Sequence, residues 1–311
     1  MATQLLPGLP PSLKPLLGML HLPPLPGAPR FDGNLAAVRD TVLRDADALV
    51  TGGVHGLIME NFNDTPFYPG AVPPIVVAHM TVIAGEVRRR FDVPLGINVL
   101  RNDGRASLAI AHAVGAAFIR INILAGARVT DQGVIEGQAH DLLRERAALG
   151  AAVGPASLPA WATAAGVGPA SLPAAAGTEA RPTESWPRTE ARPTVRIFAD
   201  VNVKHSMPLG RPRALEDEVS ETLERSGADA VIVTGRGTGM PTDPEDAQRV
   251  RSAAGDHPVI VGSGLTAETI GDFMPFADGF IVGTSLKIGG LVHNPVDPER
   301  VRAIVARVKA G

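Results

Sequence analysis

The sequence predicts an α/β protein built as a single (β/α)8, or TIM, barrel. Eight short apolar runs recur along the chain, helix-length segments separate most of them, and the chain length suits such a barrel. Strands that alternate with helices pair in parallel through right-handed crossovers, and eight such units close on themselves. A doubly wound open sheet is the alternative architecture.

Each apolar run has the length of a buried strand. The eight candidate strands, in chain order, are 15–20, 57–60, 95–99, 118–122, 196–202, 230–234, 258–262 and 279–283. Glycines precede the second, fourth and sixth strands in "GGVHGLIME", "VGAAFIRIN" and "SGADAVIVT". Short turns from a helix into a strand favour glycine at that place, which supports the alternation.

The segment after the first strand illustrates the helical spacing. Its apolar positions recur every three or four residues, at Leu35, Val38, Val42, Ala46 and Leu49. Asp32 or Asn34 is suited to cap the start of this helix, and Gly52–Gly53 to end it.

Residues 151–193 differ from the rest of the chain in composition. "VGPASLPA" occurs twice, at 153–160 and 167–174, and "TEARPT" occurs at 178–183 and 189–194. Such repeats hold few large apolar side chains, so we predict a disordered insertion between helix 4 and strand 5. Removing its 43 residues from the 311 leaves 268, close to the roughly 250 of one barrel.

Composition narrows the class of protein. The net charge is −3 and the pI about 6.2, which gives no basic field for nucleic acid or membrane surfaces. The chain has no cysteine, so disulfides and cysteine zinc sites are excluded. Neither a secretory leader nor a membrane-spanning run is recognisable, so we expect a cytoplasmic protein. The helices on the outside of such a barrel are exposed and could pair with those of a second copy, so a homo-oligomer is a further expectation.

Polar residues alternate with apolar ones where the first five candidate strands end. In "RIFADVNVKH" (196–205), the residues predicted to face the barrel interior are Phe198, Asp200, Asn202 and Lys204. The other strand ends contribute His21, Glu60, Asn98, Arg120 and Asn122. Barrel interiors open into a site at the C-terminal end of the strands, so we predict a functional pocket there.

The catalytic candidates are Asp200, Lys204, Glu60 and His205. A lysine beside a carboxylate in a dry pocket can be a Schiff-base nucleophile or a general acid or base. The alternative is a simple ion pair between Asp200 and Lys204. Nearby carboxylates would hold the lysine protonated, which argues against Schiff-base chemistry.

A divalent cation is a further alternative, and no other cofactor is expected. Glu60, Asp64 and Asp200 could supply oxygen ligands, with His205 or His21 assisting, although no spacing requires it.

Two turns rich in glycine and hydroxyl groups follow the seventh and eighth strands. They contain Gly262, Ser263 and Gly264, and then Gly283, Thr284 and Ser285. Many barrels bind phosphate at these two loops, where glycine lets backbone N–H groups approach the anion. Ordinary tight turns are the alternative interpretation.

Several stretches resemble the BtpA/SgcQ family: "GMLHLPPLPGAPRF" (18–31), "MENFNDTPF" (59–67), "RINILAG" (120–126), "TDQGVIEG" (130–137) and "ADVNVKHS" (199–206). The resemblance covers the chain outside the insertion and implies a phosphate-binding TIM-like barrel. It also implies an association with photosystem I biogenesis for the named cyanobacterial member. Other members belong to non-photosynthetic bacteria and archaea. No assured reaction comes with the family.

Two hypotheses follow. The first is an enzyme for a small phosphorylated metabolite, such as a sugar phosphate or nucleoside-type compound, catalysing isomerisation, glycosidic-bond cleavage or aldol-type chemistry. Its substrate would be oriented by His21, Asn98, Arg120, Asn122 and Asn202. The second is a non-enzymatic factor that assembles or stabilises photosystem I or another membrane complex.

Overall fold

Eight parallel strands close into a barrel, which confirms the predicted fold class. The computed structural model describes residues 5–6, 8–151, 195–235, 237 and 240–310. The barrel strands are β1 (Leu16–His21), β2 (Gly56–Glu60), β3 (Leu95–Asn98), β4 (Phe118–Ile121), β7 (Arg196–Val201), β9 (Ala230–Thr234), β10 (Val259–Gly262) and β11 (Gly279–Val282). They follow chain order around the barrel, and β11 pairs with β1 to close it. All eight predicted strands are present.

Helices flank the barrel between most of its strands. They are α1 (Leu35–Gly52), α2 (Pro74–Arg90), α3 (Gly104–Val114), α4 (Ala139–Ala151), α5 (Leu215–Ser220), α6 (Pro244–Ala254) and α7 (Pro298–Ala310). A π-helical turn continues α5 over Glu221–Arg225, and a 3-10 turn, Ile270–Phe273, stands where a helix would follow β10. Two further 3-10 turns, Thr284–Leu286 and Ile288–Gly290, follow β11.

The ends of α1 show why the sequence forms it there. The Asn34 side chain accepts a hydrogen bond from the Ala37 N–H at 3.0 Å and caps the helix. Asp32 instead accepts from the N–H of Asn34. Gly53, with φ of 98°, ends the helix in the left-handed conformation that glycine adopts without strain. Of the two predicted caps, Asn34 is the one used.

The barrel interior and the shell outside it are separate apolar cores. Phe118 and Phe198 stack in the interior with ring centroids 4.6 Å apart, joined there by Leu5 and Leu6. Ala199 and Val201 belong to the outer core between strands and helices. The predicted alternation of β7 therefore holds from Phe198 to Val201.

A small antiparallel sheet stands beside the barrel and was not predicted. It contains β5 (Ala127–Thr130), β6 (Gly133–Glu136) and β8 (Ser206–Pro208), with β5 in the middle. Because β5 follows β4 and β8 follows β7, the sheet joins two connections that lie far apart in sequence. Arg128 on β5 reinforces the junction, since its Nε donates to Ser206 Oγ at 2.6 Å.

The predicted insertion lies outside the described residues except for Ala151, the last residue of α4. It separates α4 from β7, which is the predicted junction of helix 4 and strand 5. Among the described helices, none is both long enough and apolar enough to cross a membrane.

Gly96 on β3 gives a direct test of the interior packing. A Cβ added there would lie 2.1 Å from the ring of Phe118, which is itself stacked on Phe198. We expect Gly96→Ala to lower the free energy of unfolding by about 1–3 kcal/mol. Urea denaturation measures this.

Gly85→Ala is the matched control, because a Cβ in the middle of α2 meets nothing closer than 3.5 Å. That variant is expected to be more stable by about 0.5–1 kcal/mol. Equal stability of Gly96→Ala and the parent chain would contradict the packing.

Removing residues 152–194 tests whether the barrel needs them. The Arg196 N–H already bonds to Ala117 O at 3.1 Å, and Arg146 on α4 pairs with Asp229. We expect a linker of about ten Gly and Ser residues to leave the fold intact. Since a shorter loop loses less entropy on closure, stability should stay equal or rise by about 1 kcal/mol. Circular dichroism and urea denaturation check this, and a molten or aggregated product would refute it.

Candidate functional site

A cavity opens at the C-terminal ends of the barrel strands, where the sequence predicted a site. Ten of the predicted residues line it: His21, Glu60, Arg120, Lys204, Gly262, Ser263, Gly264, Gly283, Thr284 and Ser285. Four apolar residues complete the lining: Met19, Phe62, Leu265 and Ile281. The cavity therefore joins charged groups from β2, β4 and the β7 turn to both glycine-rich turns.

Arg120 and Asp200 form a buried, two-pronged ion pair at the base of this site. Arg120 Nε donates to Asp200 Oδ1 and Nη2 to Oδ2, each at 2.8 Å, and both residues are 3% exposed. Asn122 Nδ2 adds a third bond to Asp200 Oδ2 at 2.8 Å. Burial acts to lower the pKa of Arg120, but the charge and hydrogen bonds of Asp200 outweigh it and raise that pKa. Asp200 thus acts on the site through Arg120.

Glu60 is the second carboxylate of the site. Its Oε2 lies 3.7 Å from Arg120 Nη1, and the residue is buried at the end of β2. The ladder pairs Glu60 with His21 on one side and with Asn98 on the other, so three polar strand ends stand side by side. Unlike Asp200, Glu60 lines the cavity and can reach a bound molecule.

The ion-pair partner and the pKa of Lys204 differ from those suggested by its neighbours in sequence. Among ion pairs of the described residues, Asp200 pairs with Arg120 and none joins it to Lys204, so the alternative of a simple Asp200–Lys204 ion pair is wrong. Burial and the charge of Arg120 lower the pKa of Lys204 to about 8, against the opposing charges of Glu60 and Asp200. The carboxylates therefore do not keep the pKa of Lys204 at its ordinary value, although a pKa of about 8 still leaves most of this lysine protonated at pH 7, as the sequence suggested.

His21 is a neutral imidazole in this setting. Burial, followed by the positive charges of Lys287, Lys204 and Arg120, lowers the pKa of His21 well below its ordinary value. Its ring centroid lies 4.7 Å from that of Phe62. No described residue makes a hydrogen bond to its buried Nδ1. The neutral ring is therefore a weak base that keeps one N–H donor and one acceptor nitrogen for hydrogen bonds to a bound molecule.

The two glycine-rich turns have packing reasons for part of their sequence. Gly264 has φ of 64°, and a Cβ there would lie 2.4 Å from Pro241 Cα. A Cβ on Gly283 would lie 2.9 Å from His21 Cε1. The Ser285 hydroxyl donates to Leu265 O and ties the turns together. Ser263 and Thr284 also line the cavity, and their hydroxyls bond to no other described residue.

Five predicted residues do not line the cavity. Asn98 and Asn122 are buried beside it, where Asn98 Nδ2 donates to Arg120 O at 3.0 Å, and Asp200 lies behind Arg120. Asn202 and His205 are exposed, so the predicted inward orientation of Asn202 is wrong. The strand ends at Val201, and positive φ values of 49° at Asn202 and 54° at His205 turn the chain out of the barrel.

Two features of the site were missed. Arg101, buried beyond the end of β3, donates from Nη2 to Lys204 O at 2.7 Å and holds the turn that carries this lysine. Lys287 and Asp45 form a buried pair at 2.7 Å that fixes the chain after β11 to α1. Arginine three residues past a strand was a readable signal, whereas the second pair joins residues 242 positions apart.

The described residues include no group of three or more His, Asp or Glu side chains arranged to hold a metal ion. Asp64, one of the suggested oxygen ligands, instead accepts hydrogen bonds from the Leu25 N–H at 2.8 Å and from Asn61. The suggested ligands Glu60, Asp64 and Asp200 are therefore not assembled as one set.

Solved barrel structures resemble this chain in fold. A structure recorded as "Native KDPGal structure" aligns with a TM-score of 0.52 and 11% identity, over 99% of this chain and 98% of that one. N-(5'-phosphoribosyl)anthranilate isomerase from Pyrococcus furiosus aligns with a TM-score of 0.50 and 12% identity, over 96% of this chain and 100% of that one. At these identities, the likeness concerns the fold alone.

Sequence relatives extend over almost the whole chain. Photosystem I biogenesis protein BtpA of Synechocystis sp. is 40% identical over 297 residues, covering 96% of this chain and 88% of that protein. An uncharacterised protein of Thermococcus kodakarensis is 39% identical over 296 residues, with 95% of each covered. A mitochondrial protein of Caenorhabditis elegans, also uncharacterised, is 29% identical over 303 residues, covering 96% of this chain and 94% of that one.

A family model described as the BtpA family matches residues 12–155 and 181–310. The unmatched residues between these two ranges fall inside the predicted insertion. Both the family model and the 40% identical relative point to the same assignment. The chain belongs to the BtpA family.

Proposed function

We propose that this protein is an enzyme acting on a small phosphorylated metabolite at the C-terminal mouth of the barrel. One observation carries the proposal: a single cavity joins two glycine-rich turns, the cationic Lys204 and Arg120, and the carboxylate of Glu60. An anion site next to a proton-transfer pair is the arrangement that chemistry on a phosphorylated compound needs.

The phosphate would bind between the turns after β10 and β11. Ser263 and Thr284 supply hydroxyl donors, and Gly262, Gly264 and Gly283 line the cavity, where a glycine backbone can approach an anion. Arg120 adds a positive charge from the other wall. The phosphoribosylanthranilate isomerases of the same fold carry a phosphorylated substrate in their name, which supports this substrate class by analogy.

The reacting part of the substrate would then face Glu60, Lys204 and His21. The amine of Lys204, with a pKa of about 8, can lose and regain a proton near neutral pH with the Glu60 carboxylate as its partner, and the neutral imidazole of His21 can hydrogen-bond to the substrate. Asp200 serves as a positioning residue, because its oxygens are engaged by Arg120 and Asn122. Isomerisation or bond cleavage driven by proton transfer suits this set.

A library of phosphorylated metabolites, each paired with its unphosphorylated counterpart, tests the proposal. Thermal shifts confined to phosphorylated members, followed by turnover of at least one of them, are expected. The absence of any shift across sugar phosphates and nucleotides would reject it.

The name of the Synechocystis relative favours a second candidate, an assembly factor for photosystem I. A relative of similar length in a nematode, which has no photosystem, makes this role too narrow for every member of the family. Co-purification of photosystem I subunits with this chain, retained in a Glu60→Gln variant, would favour assembly over catalysis.

Thr284→Val tests the phosphate position with a nearly isosteric change. Losing one hydrogen bond to a charged group weakens binding by about 1.5–3 kcal/mol, so affinity for phosphate compounds should fall about tenfold or more. Isothermal titration with inorganic phosphate and with library hits measures this. Thr41→Val on α1 is the control and should bind as the parent chain does. Unchanged affinity in Thr284→Val would remove this turn from the site.

The lowered pKa of Lys204 predicts a pH-dependent stability. Between about pH 8 and its unfolded value near 10.5, the unfolded lysine binds a proton that the folded one has lost. The folded state thus carries a penalty below pH 8 that disappears as the pH rises through this window. Lys204→Met should be more stable than the parent chain by about 1–3 kcal/mol at pH 7, and by little near pH 10.5. Urea denaturation from pH 6 to 10 checks this, and a variant less stable at pH 7 would contradict it.

A further inference from the structure

The chain contains four lysines, and their surroundings differ. Lys287 is 2% exposed and pairs with Asp45 at 2.7 Å, so its charge is matched. Lys14 Nζ donates to Met274 O, and Lys309 is exposed near the end of α7. Lys204 lines the cavity. The charge of the buried Lys287 is thus matched by a carboxylate, while the half-buried Lys204 faces a ligand site.

Carboxylates stand near Lys204, but Arg120 competes for both of them. It holds Asp200 through two bonds of 2.8 Å and lies 3.7 Å from Glu60. Arg101 brings a further positive charge, since its guanidinium bonds to the backbone oxygen of Lys204. Three cations therefore surround two carboxylates, and the neutral amine is the form that relieves this imbalance.

The same arrangement immobilises Lys204 at its backbone and leaves its side chain toward the cavity. Arg101 fixes its carbonyl, and the strands on either side, β7 and β8, belong to two different sheets. Glu60 lines the same cavity and can carry protons to and from a reacting oxygen. The turns with Ser263 and Thr284 form another wall, where an anionic group would hold the substrate in place.

We propose that Lys204 forms an imine with the carbonyl group of a phosphorylated aldehyde or ketone bound in this cavity. The inference rests on the proposed function, because the phosphate turns are what bring the carbonyl to the amine. It narrows the substrate class from phosphorylated metabolites in general to those that carry a reactive carbonyl.

The step balances without any redox partner. The neutral Nζ attacks the carbonyl carbon, a C–N bond forms, and the C=O π electrons move to the oxygen. The Glu60 carboxylate takes one proton from the nitrogen and gives it to that oxygen. It then moves the second N–H proton to the resulting hydroxyl, which leaves as water while the electron pair freed on nitrogen completes the C=N bond. One amine and one carbonyl thus become one imine and one water.

Reductive trapping tests the proposal with the full-length protein. Dihydroxyacetone phosphate and glyceraldehyde 3-phosphate are the probes, each compared with its unphosphorylated form, and borohydride converts any imine to a stable secondary amine. Intact mass and peptide mapping then locate the adduct. With four lysines in the chain, each site is resolved.

The expected result is an adduct on Lys204 that forms about tenfold faster with a phosphorylated probe than with its unphosphorylated form. Lys309→Arg should react at Lys204 as the parent chain does. Lys204→Arg keeps the charge and should lose the adduct, while its thermal unfolding shows that it is folded.

Labelling that is equal in Lys204→Arg, or no adduct with any of the four probes, overturns the inference. The proposed function fails separately: phosphate binding that depends on Thr284 can persist without an adduct, in which case only the imine is rejected. If neither phosphate binding nor an adduct is found, both are rejected.

Discussion

The buried pair between Arg120 and Asp200 determines how charge is distributed across the mouth of the barrel. It joins β4 to β7 through two bonds of 2.8 Å between two buried side chains. Removing one partner of such a pair leaves a buried charge and typically costs about 3–5 kcal/mol, so the two residues depend on one another. Because Asp200 is fully engaged, Glu60 is the carboxylate left facing the cavity, and Lys204 is left without a carboxylate of its own.

The buried Lys287 and the half-buried Lys204 have different surroundings in the same barrel. Lys287 and Asp45 fasten the chain after β11 to α1, and the Val296 N–H adds a bond to the same carboxylate. That pair anchors the chain just after Thr284 and Ser285, which line the cavity. Lys204 lines the cavity, where burial and the charges of Arg120 and Arg101 lower its pKa. Lys287 thus stabilises the fold through its ion pair, whereas Lys204 is placed to react with a ligand.

The strand pattern and the polar strand ends could be read from the sequence because they are local periodicities. Alternation along β7 correctly put Phe198 and Asp200 on the inner face. It failed at Asn202, since a positive φ is a property of the tertiary path and not of the residue spacing. The protonation of Lys204 was judged from its neighbours in sequence, whereas its pKa is lowered first by burial and then by the charge of Arg120, which belongs to another strand. The β5–β6–β8 sheet was missed because its strands are three or four residues long and two of them are separated from the third by the insertion.

The short antiparallel sheet has a mechanical consequence for the barrel. The turn with Lys204 connects β7, which is paired within the barrel, to β8, which is paired with β5, so both of its ends are held by strand pairing. Arg101 holds the middle of the turn by a hydrogen bond to the Lys204 carbonyl. Arg128 holds the β8 end through hydrogen bonds to Ser206 and Glu218. A disturbance at the outer hairpin of β5 and β6 would therefore be transmitted to the amine, although no residue of that hairpin lines the cavity. Natural variation in this hairpin offers a way to adjust the reach of Lys204 without altering any group that touches a ligand.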